Sequence, residues 1–173
     1  MTNSRNKGSA FERDIAGRLF GLTGVSFKRD LEQYRATDHG DLIPDDPAWP
    51  FVLECKRYAA GNGCKAAWRA QAVKAAASVN RFPCVIYKYD RREIIVSVPV
   101  EAIAQAFDCQ KHTACTEWAE ITLEGLAYLA SEIMATNSDK GRGESPRDRS
   151  SRRALVATTL RQTGEATSQG AKL

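Results

Sequence analysis

Glu54 and Lys56 stand two residues apart in FVLECKRY (51–58), directly after the apolar run Phe51-Val52-Leu53. Positions two apart in a strand point to the same side. A carboxylate and an ammonium therefore share one face beside what reads as core. Two further acidic residues stand apart from the general surface charge. Asp41 follows Gly40 at the start of a second predicted strand, and Glu12 follows Phe11 at the edge of a predicted helical stripe. If the two strands pair, Asp41 and Glu54 meet at one sheet edge. Converging carboxylates raise one another's pKa and cost stability. A divalent cation removes that cost, and Mg²⁺ is held by one or two carboxylates plus waters and phosphate oxygens. Lys56 would stand beside such a metal, where it could orient or help deprotonate a water, or stabilise charge on a phosphate.

Each residue also has a plainer reading. Glu12 can close a capping box on Ser9. Asp41 can be an ordinary strand-start aspartate, with Asp38 a competing ligand three residues earlier. Glu54 and Lys56 can form a solvated pair worth only about 0.2–1 kcal/mol.

The elements that must position these groups follow from the apolar pattern. Phe11, Ile15, Leu19 and Leu22 form one stripe, which predicts a helix from Lys7 to about Gly21, N-capped at Ser9 and ended by Gly21 and Gly24. Val25–Leu31 predicts a short strand, and HGDLI (39–43) begins another, broken by PDDPAWP (44–50). Phe51–Tyr58 is a strand. Lys65–Val79 is an Ala-rich helix with Trp68, Ala72, Ala75 and Val79 on one face. CVIYKY and IIVSV, joined by DRRE and closed by Pro99, read as a hairpin. Phe82, Tyr87, Tyr89 and Trp118 are assigned to packing. Helices are expected over roughly 99–108 and 122–135. The fold class is α/β: a mixed central sheet flanked by helices over residues 1–136, followed by a basic, low-complexity tail over 137–173 expected to be disordered in isolation.

The 173 residues suffice for one domain and an extension. No apolar run approaches the roughly 20 residues needed to cross a bilayer, and MTNSRNKGSAFERD lacks the apolar core of a secretory signal. The expected location is cytoplasmic, associated with the nucleoid. Five cysteines at irregular spacing read as free thiols. Cys109, His112 and Cys115 offer three metal ligands with no evident fourth. The net charge of +4 is unevenly spread. Residues 1–92 carry 16 Lys and Arg against 10 Asp and Glu, residues 93–136 carry 1 against 7, and residues 137–173 carry 8 against 4. Such asymmetry suits a protein that presents one face to a polyanion. Arg29, Arg35, Lys88, Arg91 and Arg92 are candidate phosphate contacts, with His39 a candidate for phosphate contact or proton transfer.

Gly40-Asp41, then Glu54-Cys55-Lys56 at the end of an apolar strand, resembles the PD-(D/E)xK nuclease superfamily. The opening Lys7-Gly8-Ser9-Ala10-Phe11-Glu12-Arg13 is similar to the start of archaeal-type and phage-encoded Holliday junction resolvases. His39 stands where the family name has proline. The resemblance covers roughly residues 7–90 and implies a restriction-endonuclease-like core. It implies that Glu12, Asp41, Glu54 and the Cys55 main-chain carbonyl hold Mg²⁺, with Mn²⁺ as a substitute. Lys56 would position the attacking water, and Gln71 on the next helix would support the site. Lys7, Arg29, Arg35, His39 and Arg57 are the expected DNA contacts. The implied activity is metal-dependent cleavage of a four-way junction by a homodimer, with a phage or mobile-element origin. A restriction- or repair-type nuclease acting on other DNA is the second reading. A DNA-binding module that keeps the fold without catalysis is the third. The tail is expected to contact DNA or another protein.

Overall fold

The structure, a computed structural model, describes residues 4–30, 40–107, 109 and 115–140. Helix α1 (Ser4–Thr23) buries Phe11, Ile15 and Leu19 on one stripe. It stops where Gly24, at a φ of 75°, donates its N–H to the Phe20 carbonyl (2.8 Å), a left-handed cap that glycine adopts at little cost. Two expectations are corrected. The helix begins at Ser4, so Ser9 lies inside it and does not cap it. The buried stripe ends at Leu19, and Leu22 is exposed.

Strands β1 (Phe27–Arg29), β2 (Leu42–Pro44), β3 (Phe51–Tyr58), β4 (Phe82–Tyr89), β5 (Ile95–Pro99) and β6 (Trp118–Ile121) form one sheet in chain order. β3 and β4 pair in parallel from Phe51↔Phe82 to Tyr58↔Tyr89, and the other neighbours are antiparallel. The mixed sheet is the architecture expected from the sequence. β6 is an addition to it. Its four residues, WAEI, are half-buried or exposed and too short to show an alternation of their own.

Helix α2 (Ala66–Ala77) makes the crossover between β3 and β4, while α3 (Val100–Ala106) and α4 (Leu123–Lys140) follow the hairpin strands. α4 continues past Asn137, where the sequence placed the start of the tail. Elongating an established helix costs far less than nucleating one. The remaining tail lies outside the described residues.

Alternation along β3 assigns its residues to two faces. Phe51, Leu53 and Cys55 join Phe11, Ile15 and Leu19 of α1 and Leu126, Leu129 and Ile133 of α4 in one large core. Val52 packs under Ala75 and Ala76 of α2, and Trp68 and Ala72 of α2 cover Val85, Tyr87 and Tyr89. Glu54, Lys56 and Tyr58 therefore lie on the α2 face.

Candidate active site

The site is built where β2 meets β3. Gly40 has a φ of 72°, and a Cβ there would stand 2.7 Å from the Leu53 carbonyl oxygen and 2.8 Å from Val52 Cγ1. Only glycine allows the chain to pass so close to β3. That approach lets the Asp41 N–H donate to the Leu53 carbonyl (2.8 Å), beside the Leu42↔Leu53 pair. The Asp41 carboxylate then accepts the Cys55 N–H (2.6 Å). A side chain thus satisfies the β3 amide one step beyond the Leu53 pairing, as a buried backbone donor requires. Asp41 is fixed in the sheet edge by both its backbone and its carboxylate.

Glu54 is only 2% exposed. Burial pushes its carboxyl up to about 7, the negative charge of Asp41 adds to the rise, and Lys56 opposes it. Lys56 Nζ donates to Glu54 Oε1 on the same face, as the spacing predicts. Burial acts to lower the Lys56 pKa, but the hydrogen bond and charge of Glu54 outweigh it and the net shift is upward. That rise presupposes an ionised Glu54, so the ion pair and the proton on Glu54 compete. An added positive charge at this edge would resolve the competition by favouring the ionised Glu54.

The Cys55 side chain points into the α1-side core, opposite Glu54 and Lys56. Burial first, then the charges of Asp41 and Glu12, pushes its thiol well above the ordinary range, which makes it inert as a nucleophile. Asp41 and Glu54 lie at the end of β3, and the charge of Glu12 is felt by the same thiol. The three carboxylates do not form one cluster. Glu12 Oε2 accepts from Arg29 Nε (2.5 Å), and Arg29 Nη2 donates to Ser9 Oγ (3.0 Å). The capping-box reading of Glu12 is therefore overturned, because its partner is an arginine on β1. Among the described residues, no group of three or more His, Cys, Asp and Glu side chains is placed to hold a metal ion.

The other expected residues divide sharply. Lys7 Nζ and Arg57 both pair with Asp90, at 3.1 and 3.2 Å, and hydrogen bonds from Lys7 and then Arg57 hold the Asp90 carboxyl below its usual range. Gln71 is exposed on the flank of α2, beside the residues that pack on the sheet. Arg35, Asp38, His39 and His112 lie outside the described residues; Cys109 and Cys115 are exposed. Sequence reasoning missed three participants. Asp90 gathers two basic residues, Ser9 supports Arg29, and Tyr58 continues the alternation of Glu54 and Lys56 to an exposed ring. Only Tyr58 had a readable signal, the same spacing of two that singled out Glu54 and Lys56.

The family model for phage PDDEXK endonucleases matches residues 3–138. The chain belongs to that family. It is a nuclease of the PDDEXK superfamily, and the match takes in Glu12, Asp41, Glu54, Lys56 and Gln71. The match also runs beyond the 7–90 span of the recognised motifs, through β5, α3, β6 and most of α4. No curated protein matches the chain. Among solved structures, it is similar to Archaeoglobus fulgidus Hjc, a Holliday junction resolvase from an archaeal hyperthermophile. Identity is 18%, the alignment covers 72% of this chain and 98% of that one, and the TM-score is 0.45.

Proposed function

We propose that this nuclease hydrolyses DNA phosphodiesters with Mg²⁺, and that its preferred substrate is branched DNA of the four-way-junction type. The observation that carries the metal reading is the buried Asp41 and Glu54 beside Lys56, two carboxyls almost withdrawn from water, with the charge of Asp41 helping to raise the Glu54 pKa. Such a donor set fits a hard divalent cation, which needs oxygen ligands and removes the repulsion between them. Asp41, Glu54 and the Cys55 main-chain carbonyl would hold the ion, joined by Glu12 once it parts from Arg29. Mn²⁺, with the same preference for oxygen, would substitute. The bound cation supplies Lewis-acid activation of water and charge neutralisation at the phosphate.

The chain's own residues do the rest. Lys56, kept cationic by Glu54, orients the attacking water and offsets charge developing on the phosphate. Gln71 supports the site from the flank of α2. Arg29, released from Glu12 by substrate, is available to a phosphate, as are Lys7 and Arg57 at the Asp90 end of the sheet, together with Arg35 and His39. The junction preference rests on the Lys7-Gly8…Glu12-Arg13 likeness to junction resolvases, which implies a homodimer making paired nicks. The tail, with 8 Lys and Arg against 4 Asp and Glu, is assigned to DNA contact.

Cleavage of a four-way junction beside linear duplex of the same sequence, with Mg²⁺, tests this reading. Symmetric nicks near the branch point are expected. Equal cutting of both substrates would remove the junction preference and favour a restriction- or repair-type nuclease.

A further inference from the structure

Tyr58 lies on the same face of β3 as Glu54 and Lys56. Four residues of strand place it about 13 Å from Glu54, roughly four nucleotide rises along one DNA strand. Its ring stacks on Trp68 of α2, with centroids 5.1 Å apart and planes 25° from parallel, yet Tyr58 is 43% exposed. Trp68 is buried and braced by Tyr87 and Tyr89, with ring centroids at 5.9 and 6.3 Å. Tyr89 is fixed in turn by donating its hydroxyl to the Gly63 carbonyl (2.9 Å). At the N-terminal end of α2, Lys65 carries its Nζ 4.7 Å from the Tyr58 ring centroid and 5.1 Å from that of Trp68.

Shielding Trp68 from water accounts for the stack alone. It does not account for an ammonium over the exposed ring, nor for the alignment of that ring with the acidic pair. A rigidly backed aromatic face beside a mobile cation is how proteins hold unpaired bases: the ring stacks on the base and the cation takes the phosphate. Such a face gives nothing to a base stacked inside continuous duplex.

We propose that Tyr58, backed by Trp68 and flanked by Lys65, stacks on an unpaired nucleobase of the strand whose phosphate reaches Glu54 and Lys56. The platform thereby selects DNA with unstacked bases, as at a branch point, over continuous duplex. The inference deepens the nuclease reading and rests on it. The base stacks on the Tyr58 face turned away from Trp68, while Lys65, near both rings, turns to a phosphate of the same strand.

Binding of full-length Glu54→Gln protein, used so that DNA is not consumed, tests the platform in Ca²⁺ buffer. The probes are a four-way junction and a duplex, each carrying 2-aminopurine at or near the branch position. The parent protein is expected to prefer the junction and to quench its 2-aminopurine, leaving the duplex signal unchanged. Tyr58→Leu is expected to weaken junction binding roughly 5- to 100-fold, abolish the quench and leave duplex binding alone; Tyr58→Phe is expected to retain both. Equal affinity of the parent for the two DNAs, no quench in the parent, or unchanged discrimination in Tyr58→Leu would each overturn the platform. Cleavage by the wild type, measured separately, reports on the nuclease reading, so the two can fail independently.

Discussion

On one face of the sheet, Phe51, Leu53, Cys55 and Ile86 meet α1 and α4 in a large, mostly apolar core. On the other, α2 covers a smaller aromatic cluster, and polar groups lie in the same layer: Glu54, Lys56, and Ser97, which accepts from Arg69 Nε (3.2 Å). Tyr87 in that layer donates its hydroxyl to Glu120 (2.7 Å). The first face needs only shape and apolar area, which the hydrophobic effect rewards without direction. The second places a nearly buried carboxylate in a setting that disfavours its charge, which costs stability unless a partner is supplied. The strand that joins them, β3, alternates between the two regimes residue by residue. The fold is thus anchored on the α1 side, and the proposed chemistry lies where anchoring is weaker.

Changes on either side break this contrast in different ways. Ile15→Ala is expected to cost about 2–5 kcal/mol of stability, read as a lowered urea midpoint, while cleavage per folded molecule stays as in the parent. Lys56→Met should act mainly on the chemistry: about 10²–10³ is lost from kcat, with a smaller fall in the urea midpoint because Glu54, deprived of its partner, takes up a proton. A loss of stability in Lys56→Met as large as that of Ile15→Ala would show that the ammonium is structural.

Gly40→Ala couples the two regimes, because a Cβ at this φ meets the Leu53 carbonyl. A cost of about 1–3 kcal/mol is expected together with reduced activity, since Asp41 follows directly.

A pH titration separates the faces more finely. The Glu54 carboxyl in the folded chain, near 7, lies above its ordinary value of 4.5. Between these values the folded state holds the extra proton, so this contribution is complete below pH 4.5 and lost as pH rises through 7. Without metal, Tm should therefore fall from pH 5 to pH 8 relative to Glu54→Gln. Millimolar Mg²⁺ should recover the loss at pH 8 and do little at pH 5. A flat difference between the two proteins would contradict the buried-carboxylate picture. The smallest structural effect is expected from deleting residues 141–173: Tm nearly unchanged, with weaker DNA binding and a shallower salt dependence.

Local signals were legible in the sequence where one element decides them. β3 has the predicted bounds because its apolar run and its turn-rich flanks define it alone, and the face assignment of Glu54, Lys56 and Cys55 follows from strand geometry. The hairpin of β4 and β5 announced itself through β-branched runs around a polar turn. Glu12 was misread in detail because Ser9-x-x-Glu12 is a valid local capping pattern, while its actual partner, Arg29, is 17 residues away on another element. The requirement for Gly40 arises from the backbone of β3, and β6 gains its identity only by pairing with β5. Those are tertiary facts, invisible to a window of a dozen residues.

In the mechanism we propose, a divalent cation held by Asp41 and Glu54 makes this chain a DNA nuclease. The most direct test is cleavage of a four-way junction by wild type and Glu54→Ala, with Mg²⁺ and with EDTA, after circular dichroism shows both folded. Mg²⁺-dependent cutting by the wild type, abolished by EDTA and lost in the folded variant, is the predicted result. A folded Glu54→Ala protein that cuts as fast as wild type would contradict it.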